Sequence, residues 1–294
     1  MRLTVTGASG RIGTHLVERL RERGDEVTIL SRNPDRGVRW DPEAERAPAD
    51  ALRGRDAVVH LAGEDVAQRW SEETKKKIAS SREIGTRNLV ATLAALGDTE
   101  RPGVLVSGSA SGYYGPHGDE EVDETTAAGD DFLARVCVAW EREAQEAQQA
   151  GMRVVSVRTG IVLDKDGGAL AKMLPPFRMG VGGPVAGGAQ WMPWIHVEDE
   201  VGILLAAIDG EGWSGPVNAS APTPVTNKEF SRALGRALHR PAVAPVPALA
   251  IKALYGEMAQ IVTTGVRMVP RRAIELGYVF AHPELDEALR SALN

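Results

Sequence analysis

Thr6-Gly7-Ala8-Ser9-Gly10-Arg11-Ile12-Gly13 places three glycines at the spacing of a phosphate-binding turn, after a β-branched run and before an amphipathic one. Gly7 lets the chain leave a strand sharply, Gly10 lets a pyrophosphate approach the backbone, and Gly13 lets the next helix pack on the sheet. Ser9, Arg11 and Ile12 complete the turn, so the phosphate meets free amides at a helix N-terminus. The next apolar run, Val27 to Leu30, ends in Ser31-Arg32 with no acid before Asp35. An acid there would read a ribose 2′-hydroxyl, whereas a base answers a 2′-phosphate. Arg32, with Arg11 reaching in from the other side and the Ser31 hydroxyl between them, suits a dianion that takes bidentate contacts. The expected ligand is NADP(H) rather than NAD(H). A further contact is expected at Leu61-Ala62-Gly63-Glu64, where small residues let the chain pass close to the adenine-ribose. His60, inside that strand, reads as a packed and hydrogen-bonded histidine.

These residues need a scaffold, and the pattern along the chain supplies one. Short runs at 3–6, 26–30, 57–61, 103–106 and 153–157 alternate with amphipathic stretches at 12–23, 71–96 and 130–150. That alternation is the mark of βαβ units wound into a parallel sheet. The fold class is α/β, a doubly wound parallel sheet of the Rossmann type with a smaller C-terminal substrate lobe. Residues 1–163 would form the nucleotide-binding domain, completed by part of 195–225, and residues 164–294 the smaller lobe. Five glycines between Gly180 and Gly188, followed by Trp191 and Trp194, suit either a lid over a bound ring or a pair of anchors for that lobe.

Composition narrows the function classes. The chain has 294 residues, 43% hydrophobic, with a net charge of −6, and only Lys75-Lys76-Lys77 makes a basic run, following Glu72-Glu73 and Thr74. No stripe fits a nucleic acid or an anionic membrane. The single cysteine, Cys137, allows no internal disulfide, and no Cys/His cluster offers a metal site by spacing. No apolar stretch reaches the roughly 18 residues of a membrane helix. A cytoplasmic protein without a metal is expected.

The motifs TGASGRIG at 6–13, LAGE at 61–64, SREIGTRNLV at 81–90, SGSASGYYG at 107–115 and HVEDEV at 196–201 resemble the extended short-chain dehydrogenase/reductases. More narrowly, Arg69-Trp70 and the GGAQWMPWIH stretch at 187–196 look like the atypical group of epimerase-family proteins with a trailing helical segment. The resemblance implies a nicotinamide end near Gly160 and Ile161, whose backbone amides would meet the carboxamide. It also implies a serine or threonine plus a Tyr-x-x-x-Lys pair, the lysine lowering the tyrosine pKa for proton exchange. Matched on Glu141, the pair falls on Leu133 and Cys137, which can do neither job. The family's asparagine is replaced by Arg82. What remains is a hydroxyl cluster, with Ser109, Ser111 and Tyr114 as the weak catalytic candidates and the serine register open between Ser109 and Ser111. The implied function is an NADP(H)-dependent oxidoreductase or epimerase on a small polar substrate; the alternative is a catalytically silent NADP(H) sensor. Helices 71–96 and 130–150 are where such folds dimerise, so a homodimer is implied.

Overall fold

A computed structural model describes residues 1–294. The first half runs β1 (Arg2–Thr6), α1 (Arg11–Glu22), β2 (Glu26–Ser31), β3 (Val38–Arg39), α2 (Ala49–Leu52), β4 (Ala57–His60), α3 (Glu72–Ala95) and β5 (Val104–Ala110). It continues through β6 (Glu121–Val122), α4 (Phe132–Gln145), β7 (Arg153–Thr159), β8 (Ile161–Leu163) and α5 (Gly168–Arg178). The remainder is β9 (Trp191–Met192), β10 (Trp194–His196), α6 (Val197–Asp209), β11 (Gly215–Ala219), β12 (Val225–Thr226), α7 (Asn227–Ala237), α8 (Ala248–Tyr255), α9 (Ala259–Thr263), β13 (Arg267–Met268), α10 (Arg271–Glu275) and α11 (Leu285–Leu293).

Seven strands form one parallel sheet in the order β11-β7-β5-β4-β1-β2-β3. The order reverses between β1 and β4, and ligands of such sheets bind outside the strand ends at that switch point. Apolar residues of β1, β4, β5 and β7 pack on one face against α1 and α6, where Leu16, Leu20, Ile203 and Leu204 are fully buried. The other face packs on α3 and the end of α4 through Leu89, Leu93 and Ala144. Strands covered on both sides need apolar side chains on both sides, which is why they read as continuous runs. α3 begins at Ser71, whose hydroxyl accepts from the Thr74 amide, and α4 begins at Asp131, whose carboxylate accepts from Ala134.

A second core is built from Leu163 onwards, where Trp194, Phe177, Phe230, Leu234 and Leu289 meet. β11 and α6 belong to the main layer, so the sheet is completed by chain that returns after this second core has begun. No helix is long and apolar enough to cross a membrane.

One acid is buried in the main layer. Glu200 of α6 is fully buried, accepts from the Thr159 hydroxyl at 2.8 Å, and leaves Oε2 without a partner. Burial pushes its pKa up to about 8. An acid whose folded pKa is raised is neutral in both states below the unfolded value and is ionised only in the unfolded chain above it, so stability falls as pH rises from about 4.5 towards 8. Glu200→Gln keeps an acceptor for Thr159 and removes the proton linkage. Urea melts at pH 5 and pH 8 should show the wild type losing roughly 3 kcal/mol more than the variant over that interval. Parallel losses would contradict the buried neutral acid.

Candidate functional site

A cleft of about 520 Å³ opens at the switch point. Its walls include Gly7, Ser9 and Gly10 after β1, Ser31 and Arg32 after β2, and Leu61 to Glu64 after β4. Nine of the residues singled out in the sequence thus share one cavity, although they come from three separate strand ends. Gly7 has φ 71°, and a Cβ on it would lie 2.5 Å from the Leu61 carbonyl carbon. A Cβ on Gly13 would lie 2.3 Å from the Gly7 oxygen, so Gly13 serves helix packing inside the turn rather than the cavity wall. Ile12 packs half-buried against the main core. α1 starts at Gly10 with no side-chain cap and no acid in its first turn, which leaves its first amides and its positive dipole end to an anion.

The basic end of the cleft differs from the expectation in one side chain. Arg32 lines it, but Arg11 turns away: its Nε lies 3.9 Å from the Asp164 carboxylate, and its side chain packs against Gly167. Asp164 is nearly buried, and the attraction of a poorly solvated carboxylate accounts for the direction. The second arginine of the cleft is Arg36, from the short turn Pro34–Arg36 that Asn33 caps through the Asp35 amide. Ser31 lies between strand and turn, accepting from the Asn33 amide. Asp35 does not line the cleft, and the carboxylates that do, Glu43 and Glu64, come from other segments.

His60 is buried, with Nδ1 2.7 Å from the Thr6 hydroxyl and Nε2 3.0 Å from the Thr86 hydroxyl. Burial and the Arg82 charge lower its pKa to about 4, so it is a neutral structural residue.

Three hydroxyls were candidates for the chemistry, and two are already engaged. Ser109 donates to Glu141 at 2.6 Å; Tyr114 donates to Asn218 Oδ1 at 2.6 Å and accepts from Arg158 at 2.9 Å. Arg158 closes the network with a bidentate pair to Glu141, at 2.8 and 2.9 Å, and its guanidinium stacks 3.4 Å from the Tyr113 ring centroid. Burial pushes the Tyr114 hydroxyl up to about 12, which suits a structural phenol and not an acid at neutral pH. Ser111 is half-buried at the start of the turn that follows β5 and is not part of this network.

Leu133 and Cys137 both face that turn: a Cβ on Gly112 would lie 3.3 Å from Leu133 Cβ and 3.8 Å from Cys137 Sγ. Burial raises the thiol to about 12, so Cys137 is a small apolar side chain here. A cation nevertheless stands nearby. Arg82 of α3 donates to the Glu64 carbonyl at 2.9 Å, lies over the Trp140 ring at 5.0 Å, and sits so close to Gly63 that a Cβ there would lie 3.0 Å from the guanidinium carbon. It has no carboxylate partner within salt-bridge distance, and burial lowers its pKa. The sequence marked Arg82 only as a missing asparagine; its place beside Cys137 depends on how α3 and α4 pack.

Two further expectations are corrected. The Gly160 amide donates to Ala219 at 2.9 Å and the Ile161 amide to Pro193 at 2.6 Å, so neither is free for a carboxamide, and neither residue lines the cleft. The end of β11 takes the Gly160 amide, and Pro193, just before the β10 strand that pairs with β8, takes the Ile161 amide. The glycine-rich stretch is no loose lid either. Val185 donates to the Asn227 side chain, Ala186 to Val246, and Gly183 packs on Ala244. Trp194 is buried in the second core, and Trp191 donates to Asp119 at 3.0 Å under the Arg267 guanidinium. Both tryptophans are anchors. The acidic run before α4 is only partly solvated, because Glu124 accepts from the Asn218 and Arg272 amides.

The Rossmann sheet with its glycine turn and hydroxyl-bearing β5 turn defines a class, and the match agrees: residues 3–218 match the NAD-dependent epimerase/dehydratase family, and residues 246–292 match a domain of unknown function. The chain belongs to that epimerase/dehydratase family. It is 41% identical to the chloroplastic epimerase family protein SDR39U1 homolog of Arabidopsis thaliana, covering 100% of this chain and 87% of that one. It is 39% identical to epimerase family protein SDR39U1 of Homo sapiens, covering 99% of each. Among solved structures, the human SDR39U1 complex with NADPH superposes with a TM-score of 0.91 at 37% identity, with 100% of both chains covered. MoeE5 with UDP-glucose and NAD, at 21% identity and a TM-score of 0.79, shares the fold.

Proposed function

We propose that this chain is an NADP(H)-dependent oxidoreductase or epimerase that acts on a small polar substrate without the usual tyrosine–lysine pair. The observation that carries the reading is the basic end of the cleft, where Arg32 and Arg36 stand beside a strand that ends without an acid. The NADPH complex of the human relative supports the same cofactor. The open approach at Gly10, where a Cβ would meet only the Gly7 oxygen, and the uncapped start of α1 fit a pyrophosphate. Bound there, the nicotinamide would supply or accept hydride. Of the three candidate hydroxyls, Ser111 is the one left to meet a substrate, and Arg82 supplies from α3 the positive charge that the family's lysine supplies from the helix of α4. A guanidinium keeps its proton even where burial lowers its pKa, so its part is to orient and to stabilise negative charge.

The sensor reading is favoured by one observation, that Leu133 and the un-ionised Cys137 stand where the pair would be. Following NADPH absorbance against aldehydes, ketones and nucleotide sugars decides between the two. Turnover of at least one carbonyl is expected, falling by about 100-fold in Arg82→Met and in Ser111→Ala while NADPH affinity holds. Intact binding with no oxidation of any member would favour the sensor. Dimerisation through α3 and α4 belongs to the same reading and is checked by light scattering.

A further inference from the structure

Three groups that can ligate a metal converge where α6 begins: His196, Glu198 and His282, with their ligand atoms all within 4.8 Å of one another. None of them lines the dinucleotide cleft. His196 is 3% exposed, and its Nε2 is buried with no hydrogen-bond partner. The His282 ring lies 3.8 Å from the His196 ring, centroid to centroid. Its Nδ1 stands 2.9 Å from a Glu287 carboxylate oxygen, and its Nε2 3.0 Å from Glu198 Oε2.

We propose that His196, Glu198 and His282 form a divalent-metal site, with Zn²⁺ as the ion the donor set suits best. Two imidazoles and one carboxylate are borderline donors that zinc accepts, with the fourth position left to water on the exposed side of Glu198. Glu287 holds the hydrogen on His282 Nδ1 and so directs the Nε2 lone pair inwards, as the carboxylate behind a ligating histidine does. The ion takes the place of the proton now shared between His282 Nε2 and Glu198, and that proton is released.

His196 needs a larger change. Its Nδ1 accepts from the Glu198 amide at 3.2 Å, which puts the hydrogen of the neutral ring on Nε2, where it has no acceptor. Ligation moves that hydrogen to Nδ1 and turns the ring off the amide, exchanging one long cap hydrogen bond for a metal bond. A tetrahedral ion wants its ligand atoms roughly 3.3 Å apart. Glu198 Oε2 and His282 Nε2 already stand 3.0 Å apart, so the adjustment falls on the turn of the His196 ring, which the exposed Glu198 side chain is free to follow. Asp199 holds the backbone frame, accepting from the Ala281 amide at 2.7 Å and the His282 amide at 2.9 Å. The charges around the site are the carboxylates of Glu198, Asp199 and Glu287 and the more distant guanidinium of Arg19, which favours a cation on balance. Such an ion fastens residues 84 apart in the chain, tying the C-terminal segment to the start of α6.

The spacing of these residues in the sequence gives no metal motif, since the two histidines lie on distant segments that only the fold brings together. The test is calorimetric titration of ZnCl₂ into the full chain after chelator treatment, with Co²⁺ absorption spectra alongside. One ion per chain with a micromolar or tighter Kd is expected, together with tetrahedral Co²⁺ bands and a zinc-dependent rise in Tm. Glu198→Gln, on an exposed side chain, and His282→Gln should each weaken binding by about 100-fold or more, and Glu287→Gln by about 10- to 100-fold, with NADPH affinity and far-ultraviolet circular dichroism unchanged. No binding by the wild type, or binding that persists unchanged in Glu198→Gln and His282→Gln, would overturn the site.

Discussion

Arg32→Ala is expected to weaken NADPH binding by about 30- to 100-fold and to leave NADH binding within about threefold, as a charge-assisted contact to a phosphate contributes roughly 1.5–3 kcal/mol. The selectivity follows from place. Arg32 lies at the end of β2, where the adenosine ribose of a dinucleotide is read, and not at the glycine turn, where the pyrophosphate common to both cofactors sits. Arg32 is exposed, so the effect should shrink as salt rises. Arg36→Ala should show the same selectivity with a smaller loss, and the double variant should bind the two cofactors alike. Fluorescence titrations at one fixed ionic strength measure this. Equal weakening for NADPH and NADH in Arg32→Ala would place the side chain on the pyrophosphate or on neither.

Glu141→Ala is expected to destabilise the chain by roughly 3–5 kcal/mol, the cost of leaving a buried charge without its partner. The side chains of Arg158 and Glu141 are only 3% and 6% exposed, and Glu141 also receives the Ser109 hydroxyl. With Glu141 gone, the Arg158 guanidinium keeps Tyr114 and the Tyr113 ring as neighbours but no counter-charge. Tyr114→Phe removes one hydroxyl, orphaning Asn218 Oδ1, and should cost only about 1–2 kcal/mol. Urea melts of the two variants separate these outcomes. The same pair bears on chemistry: Tyr114→Phe should turn over any accepted substrate at nearly the wild-type rate, because that phenol is spent on holding β5, β7 and β11 together.

The parts of this molecule that were legible in its sequence are those set by local rules. The glycine turn could be read because each glycine answers a local steric need. The sheet could be read because strands buried on both faces must be apolar throughout. His60 could be read because a histidine inside such a strand needs partners, and Thr6 and Thr86 supply them. What escaped is set by packing between distant segments. The place of Arg11 in the turn points to the phosphate, but Asp164 from a later loop draws the side chain off. Resemblance points to Gly160 and Ile161 for the carboxamide, yet Ala219 at the end of β11 takes the first amide and Pro193, just before β10, takes the second. Arg36 lies beyond the strand end, on the Pro34–Arg36 turn that folds it back onto the cleft. Arg82 and the Glu141–Arg158 pair carry no signal in spacing, because a helix and a strand 17 residues apart meet at that point only in the fold. The tryptophans of 191–194 suited two roles equally until the second core showed Trp194 inside it.

The central claim is that the cleft at the ends of β1, β2 and β4 is built for a 2′-phosphorylated dinucleotide. The direct measurement is a pair of equilibrium titrations of the wild-type chain with NADPH and NADH at one salt concentration. NADPH is expected to bind at least about 30-fold more tightly, the value that two arginines at the 2′ position should give. Comparable tight binding of both cofactors would contradict it.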